Sequence, residues 1–243
     1  MTKTTTILVL MTGLALTVAP AAKAQIPPPP ASLGFLNVNY GAQPQRRTLS
    51  TSVSFPLYDE TATMTTDQGI GNGPVFDISG GFRVWRGLAI GIGFSSFSDT
   101  GSGTVVTTIP HPLFFGQSKP VNNTASGLEH SERAVHLQAV WFIPVTDKID
   151  VALSVGPSFI RVKQQLVSSA TVPVGTQDVN VVVNTQEETA HGANVGFDGS
   201  YLFTRRFGVG LFIRYAGGSV DLSGAGNLKV GGVQAGLGAR IRF

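Results

Sequence analysis

A period of two recurs along almost the whole chain, and it limits the possible folds more than any other feature. Leu36, Val38 and Tyr40 alternate with Asn37, Asn39 and Gly41; Phe76, Ile78, Phe82 and Val84 with Asp77, Ser79, Gly81 and Arg83. Leu88, Ile90, Ile92 and Phe94 alternate with small residues, and Val135, Leu137, Ala139, Trp141 and Ile143 with His136, Gln138, Val140 and Phe142. The same holds for Val151–Phe159, Val195–Phe203 and Phe207–Tyr215. Read backwards from Phe243, the residues Ile241, Ala239, Leu237, Ala235 and Val233 alternate with Arg242, Arg240, Gly238, Gly236 and Gln234. A period of two places the two sets on opposite faces of a strand. Each of these eight segments is near the ~10 residues that a tilted strand needs to cross a bilayer.

The connections carry a second pattern. Short ones fall at Arg86-Gly87, Thr146-Asp147-Lys148 and Thr204-Arg205-Arg206, and long ones over 43–73, 98–131, 166–189 and 217–227. Strict alternation puts every tight turn at one end of an up-and-down barrel and every long connection at the other. That is the asymmetry of barrels with short periplasmic turns and long outer loops. The expected fold is therefore all-β: a transmembrane antiparallel up-and-down β-barrel of eight strands. The count becomes ten if the stretch from Leu49 to Thr66 adds a membrane hairpin. That stretch and Val172–Asn184 also have the alternation to extend the wall outward as hairpins.

This pattern resembles the small bacterial outer-membrane barrels, the OmpA/OmpX/OmpW class, over nearly all of residues 33–243. The last strand, ending on Phe243 with Ile241 and Leu237 in the same row, resembles the signal that the barrel-assembly machinery reads in that class. The resemblance implies residence in the outer membrane of a Gram-negative cell envelope, with outer-membrane lipid and lipopolysaccharide as neighbours. It also implies a structural role or a porin-like, narrow conduit for small solutes. Unlike OmpA, no periplasmic domain is expected after the last strand.

The N-terminal residues fit export. Lys3 precedes an apolar run from Ile7 to Ala19, and Ala22-Lys23-Ala24 has the small-x-small form of a cleavage site. Residues 1–24 are thus expected to be a signal peptide, because the run is too short for a membrane anchor. Residues 25–32, with Pro27 to Pro30 in a row, read as a stiff linker. Beyond Ala24 no stretch approaches the roughly 18 apolar residues of a spanning helix.

Composition agrees. Only 13% of residues are charged, against about 25% in soluble domains. Removing Lys3 and Lys23 takes the 17 basic residues to 15, against 14 acidic ones, with no basic run. Nucleic acid is not an expected partner. The absence of cysteine rules out a disulfide framework.

With lipid on the apolar face, function falls to the lumen and the loops. The inward parity holds a polar set of mixed charge: Asp77, Arg83, His136, Asp150, Asp198, Arg214, Arg240 and Arg242, with Gln138, Asn194 and Gln234. Ion pairs across a narrow interior are expected, since eight strands leave room for side chains and little else. Glu129-His130-Ser131-Glu132 has the composition of a hydrolase site. Adjacent strand residues point to opposite faces, however, and no G-x-S-x-G elbow is present, so a solvated loop rim is the expectation. The four histidines show no ligand spacing. No catalytic residue, metal or cofactor is expected. The alternative to a structural or conduit role is surface adhesion or recognition through the long loops.

Overall fold

The computed structural model describes residues 32–44, 46–171, 180–222 and 226–243. The expected signal peptide and the linker up to Ala31 lie outside the described residues, as does 172–179 of the second proposed hairpin. Ten strands are present: β1 (Gly34–Gln43), β2 (Arg47–Leu57), β3 (Glu60–Ile70), β4 (Gly73–Trp85) and β5 (Leu88–Pro110), then β6 (Ser118–Pro144), β7 (Ile149–Thr171), β8 (Asn180–Leu202), β9 (Phe207–Leu222) and β10 (Gly226–Arg242).

β4 to β10 pair in sequence, all antiparallel, and β1 closes the ring by pairing with both β4 and β10. The closure register sets Leu36 opposite Ile241 and Tyr40 opposite Leu237. The barrel therefore has eight strands. β2 and β3 stand outside the ring as a hairpin, attached where Thr63–Gln68 of β3 meets Gly103–Thr108 of β5. That part of β5 lies beyond its apolar row, so the hairpin adds wall outside the membrane and does not enlarge the barrel within it.

Exposure is inverted relative to a soluble core. Ile90, Ile92, Leu137, Trp141, Val155, Val195, Leu211, Ile213 and Leu237 are exposed, while their inward neighbours Asn39, Asp77, His136, Gln138, Arg214 and Arg240 are buried. An apolar outside around a polar inside is the arrangement of a transmembrane barrel. Aromatic side chains mark both edges of the apolar band. Trp85, Trp141, Phe203, Phe207 and Phe243 are exposed near the short turns, and Tyr40, Phe76, Phe159 and Tyr215 toward the other end. Strand parity alone would turn Trp85 inward. A register shift between Arg83 and Trp85 turns it out instead.

The short turns are built from their own side chains. In Val145–Lys148 the Thr146 hydroxyl accepts from the backbone N–H of Ile149 at 3.0 Å, and in Phe203–Arg206 the Thr204 hydroxyl accepts from Phe207 at 2.9 Å.

The long connections differ from the expectation. Most of 98–131 and 166–189 is strand: β5 and β7 run 23 residues, β6 runs 27 and β8 runs 23. All four are more than twice the ~10 residues of a membrane crossing. Stretches such as Thr104–Thr108 carry β-branched residues on both faces, which suits a wall that meets water outside and packs inside. Two apolar clusters fill this extension. One joins Leu49 and Ile70 of the hairpin to Ile160, Val162, Leu166, Val220 and Leu228; the other joins Met64 to Val105, Leu128 and Val167.

Candidate functional site: the layered lumen

From the short-turn end upward, the interior is built in layers. The first is aromatic. Phe35 and Phe142 pack edge to face with centroids 5.2 Å apart, and the guanidinium of Arg83 lies 4.7 Å from the Phe142 ring. Arg242 lies 5.2 Å from the same ring, donates to Asn37 at 2.9 Å and to Ser200 at 3.2 Å, and pairs with Asp150 at 3.4 Å.

Above it is the charged layer. Arg240, wholly buried, holds Asp198 with two parallel hydrogen bonds of 2.9 and 2.6 Å and donates to Asn39 at 2.6 Å. Asn39 donates to Asp77 at 2.7 Å, and Asp77 accepts from Arg214 at 2.6 Å. Arg214 continues to Gln234 at 2.8 Å, and Gln234 to Gln43 at 2.9 Å. A bidentate guanidinium–carboxylate pair is the strong form of such contacts. Gly210 makes the space for one of them: a Cβ there would sit 2.5 Å from Nε of Arg240. His136 stands apart from the charge pairs, between Ser95 at 2.9 Å and Ser158 at 2.7 Å.

The third layer closes the top of the polar lumen. Glu132 accepts from the backbone N–H of Gly231 at 2.9 Å and from Gln43 at 3.4 Å, and pairs with Arg47 at 3.4 Å. The Arg47 guanidinium also donates to the carbonyls of Lys229 and Gly231. Gly231 has φ of +80°, a conformation that glycine adopts freely, and this brings both its N–H and its carbonyl to the cluster. His130 faces an acceptor at each ring nitrogen, Gln164 Oε1 at 2.6 Å and Glu132 Oε1 at 3.0 Å. Burial pushes the Glu132 carboxyl up, but the hydrogen bond and charge of His130, with Arg47 and Gln43, outweigh it and hold the carboxyl below its ordinary range.

The polar groups therefore form one chain of hydrogen bonds from Arg242 through Ser200, Asp198, Arg240, Asn39, Asp77, Arg214, Gln234 and Gln43 to Glu132. The space left among them is a cavity of about 40 Å³ bordered by Asn37, Asn39, Asp77, Gln138 and Arg214. That is enough for on the order of three waters.

No known protein family matches the sequence, and no curated protein matches it. Solved structures are similar in architecture. They include neisserial surface protein A (13% identity, TM-score 0.49, covering 86% of this chain and 97% of that one). The outer membrane protein OprG from Pseudomonas aeruginosa is 8% identical with a TM-score of 0.44, covering 88% and 96%. The outer membrane protease OmpT from Escherichia coli is 8% identical with a TM-score of 0.46, covering 87% and 97%. Likeness at this level carries no inference about activity.

All eight lumen residues named from the sequence face inward. Asp77 joins Arg214, Asp198 joins Arg240, and Asp150 joins Arg242; Arg83 meets a ring and His136 two hydroxyls. The expectation of a solvated rim at Glu129–Glu132 is corrected. His130 and Glu132 are buried, because β6 continues through this stretch and keeps them on the inward row. Gln43, Arg47 and Gln164 were not expected. The signal for all three cluster residues on β6 and β7 is present in the sequence: 130 and 132 share the parity of His136, and 164 that of Ser158. Nothing local marks Arg47, which reaches the lumen only because β2 folds over it.

Proposed function

We propose that the protein is an outer-membrane barrel of the Gram-negative envelope whose lumen is a packed structural core and whose work is surface recognition by the extension above the membrane. One observation carries this: β5 to β8 continue far beyond a membrane crossing and, with the β2–β3 hairpin, enclose their own apolar core over a filled lumen. A conduit needs a continuous polar path. Among the described residues the Phe35–Phe142 layer, the charge pairs and the apolar clusters stand across such a path, which supports a packed lumen. At the tip joining β5 and β6, Leu113, Phe114 and Phe115 are exposed at 82%, 57% and 84%, well away from the lipid-facing band. Exposed apolar residues at such a tip suit contact with a partner.

The proposed role is non-catalytic. Both ring nitrogens of His130 are engaged, and Ser131 lies on the other face of β6, opposite Lys163.

Planar-bilayer recordings and surface binding separate the readings. Purified protein should give no steps, or only small ones, and vesicles bearing it should bind arrays of glycans or matrix proteins. Replacing Leu113, Phe114 and Phe115 together by Ser should reduce that binding. Large, porin-like conductance would overturn the packed-lumen reading, and binding indifferent to the tip substitutions would overturn its part in recognition.

A further inference from the structure

Just above the apolar band, the outer wall carries a cluster of cations that the lumen does not explain. On β6 and β7 the outward row passes from Val135 and Phe159, which are paired, to Arg133 and Arg161, also directly paired, and then to Ser131 and Lys163. β8 adds Glu187 opposite Lys163. These five residues, Ser131, Arg133, Arg161, Lys163 and Glu187, border a surface cavity of about 110 Å³.

Its charge is unbalanced. Glu187 pairs with Arg161 and, at 3.4 Å, with Lys163, so one carboxylate serves two cations. Arg133 makes no ion pair among the described residues, and it stands opposite another arginine. Like charges directly across a ladder are unfavourable. Below them, Val135 and Phe159 are exposed at 38% and 41% and continue the lipid-facing wall. A ligand filling this place must be anionic at its head and apolar below it. Paired guanidiniums favour phosphate oxygens, and cations at this depth lie level with lipid headgroups.

We propose that Arg133, Arg161 and Lys163 form a binding site for the doubly charged phosphate headgroup of an outer-leaflet lipid, whose acyl chains lie along Val135 and Phe159. The site rests on the outer-membrane reading above, and heat-modifiable mobility of each variant checks that reading separately.

The test is titration of the purified, folded protein in detergent with diphosphoryl lipid A, read by native mass spectrometry. The comparison arms are the same lipid stripped of phosphate, phosphatidylglycerol, and inorganic phosphate. Wild type should prefer diphosphoryl lipid A. Arg133→Gln with Arg161→Gln should weaken it at least twentyfold, from about fivefold per cation, without loss of heat-modifiable fold. Glu187→Gln should tighten it, because the competing carboxylate is removed. Equal binding by the double variant or by the stripped lipid would overturn the site. Equal binding of phosphatidylglycerol would remove the doubly charged headgroup, and equal binding of inorganic phosphate would reduce the site to one for free anions.

Discussion

Arg240 offers the sharpest test of whether the lumen network holds the barrel together. Its side chain is fully buried, while that of its partner Asp198 is 17% exposed. Truncation to Ala would leave Asp198 without its bidentate donor, and the buried Asn39 Oδ1 without the 2.6 Å bond from Arg240. Breaking a buried pair by removing one member costs about 3–5 kcal/mol. The exposed edge of Asp198 and its 3.0 Å bond from Ser200 allow partial recovery, so the lower end applies. A loss of about 3 kcal/mol, more than a hundredfold in the folding equilibrium, is expected.

Arg240→Met preserves most of the volume and should cost nearly as much, because the loss is of charge pairing and not of packing. In a double-mutant cycle with Asp198→Asn, the two changes should couple by about 2 kcal/mol, since the isosteric amide no longer requires a cation. Urea unfolding in lipid vesicles, followed by heat-modifiable mobility, measures all four proteins. An Arg240→Met variant within 0.5 kcal/mol of wild type, or a cycle that is simply additive, would refute the reasoning.

Gly210→Ala should destabilise by about 1–3 kcal/mol, because the new methyl meets both Arg240 and the Gly199 carbonyl, 2.6 Å away; unchanged urea midpoints would contradict the crowding. The Glu132 cluster should loosen in acid. A carboxyl held below its unfolded value contributes stability above about pH 4.5 and loses it as pH falls through the folded value. The protection of the β2–β3 hairpin against hydrogen exchange, corrected for the intrinsic rate at each pH, should therefore fall in wild type once pH drops below the ordinary carboxylate range, whereas Glu132→Gln should already be less protected at pH 7 and show little further change. Deleting Phe243 should lower the amount of folded protein in outer-membrane fractions, through lost reading of the row with Ile241 and Leu237 and through lost pairing with Gly34, whose N–H donates to it at 2.6 Å. Normal assembly without it would dismiss that role.

The membrane half of the fold was legible because a bilayer imposes one rule on every strand: apolar out, polar or small in, for about ten residues. The lumen residues followed from parity alone. Their pairings did not, because Asp77 with Arg214 and Asp198 with Arg240 join strands far apart in sequence. Above the membrane the rule lapses. Water outside permits Thr and Ser in strand, so the polar run Thr61–Asp67, unsuited to a hairpin within the membrane, forms β3 in the outward wall that the alternation from Leu49 to Thr66 allows. The burial of His130 and Glu132 has the same origin, since β6 continues in strand beyond the end of its apolar row.

That continuity bears on what the extension can do. A loop that carries recognition on a flexible tether loses conformational entropy when it binds. Here the ladders of β5 with β6 and of β7 with β8 run from the short turns to the far end, with one register shift each, at Gly101/Ser102 and at Val167/Ser169. Both lie beyond the apolar band, where a bulge bends a wall without breaching lipid. The hydrogen-bond chain from Arg242 to Glu132 ties the same walls together from within, and Arg47 fastens the hairpin to β6 and β10. The extension continues the membrane barrel as one ladder, so on the proposed recognition role the tip at Leu113–Phe115 is carried by paired strands and less conformational entropy remains to be lost on binding. A filled lumen then serves the same role: side chains that would obstruct a channel are what brace the walls of a platform.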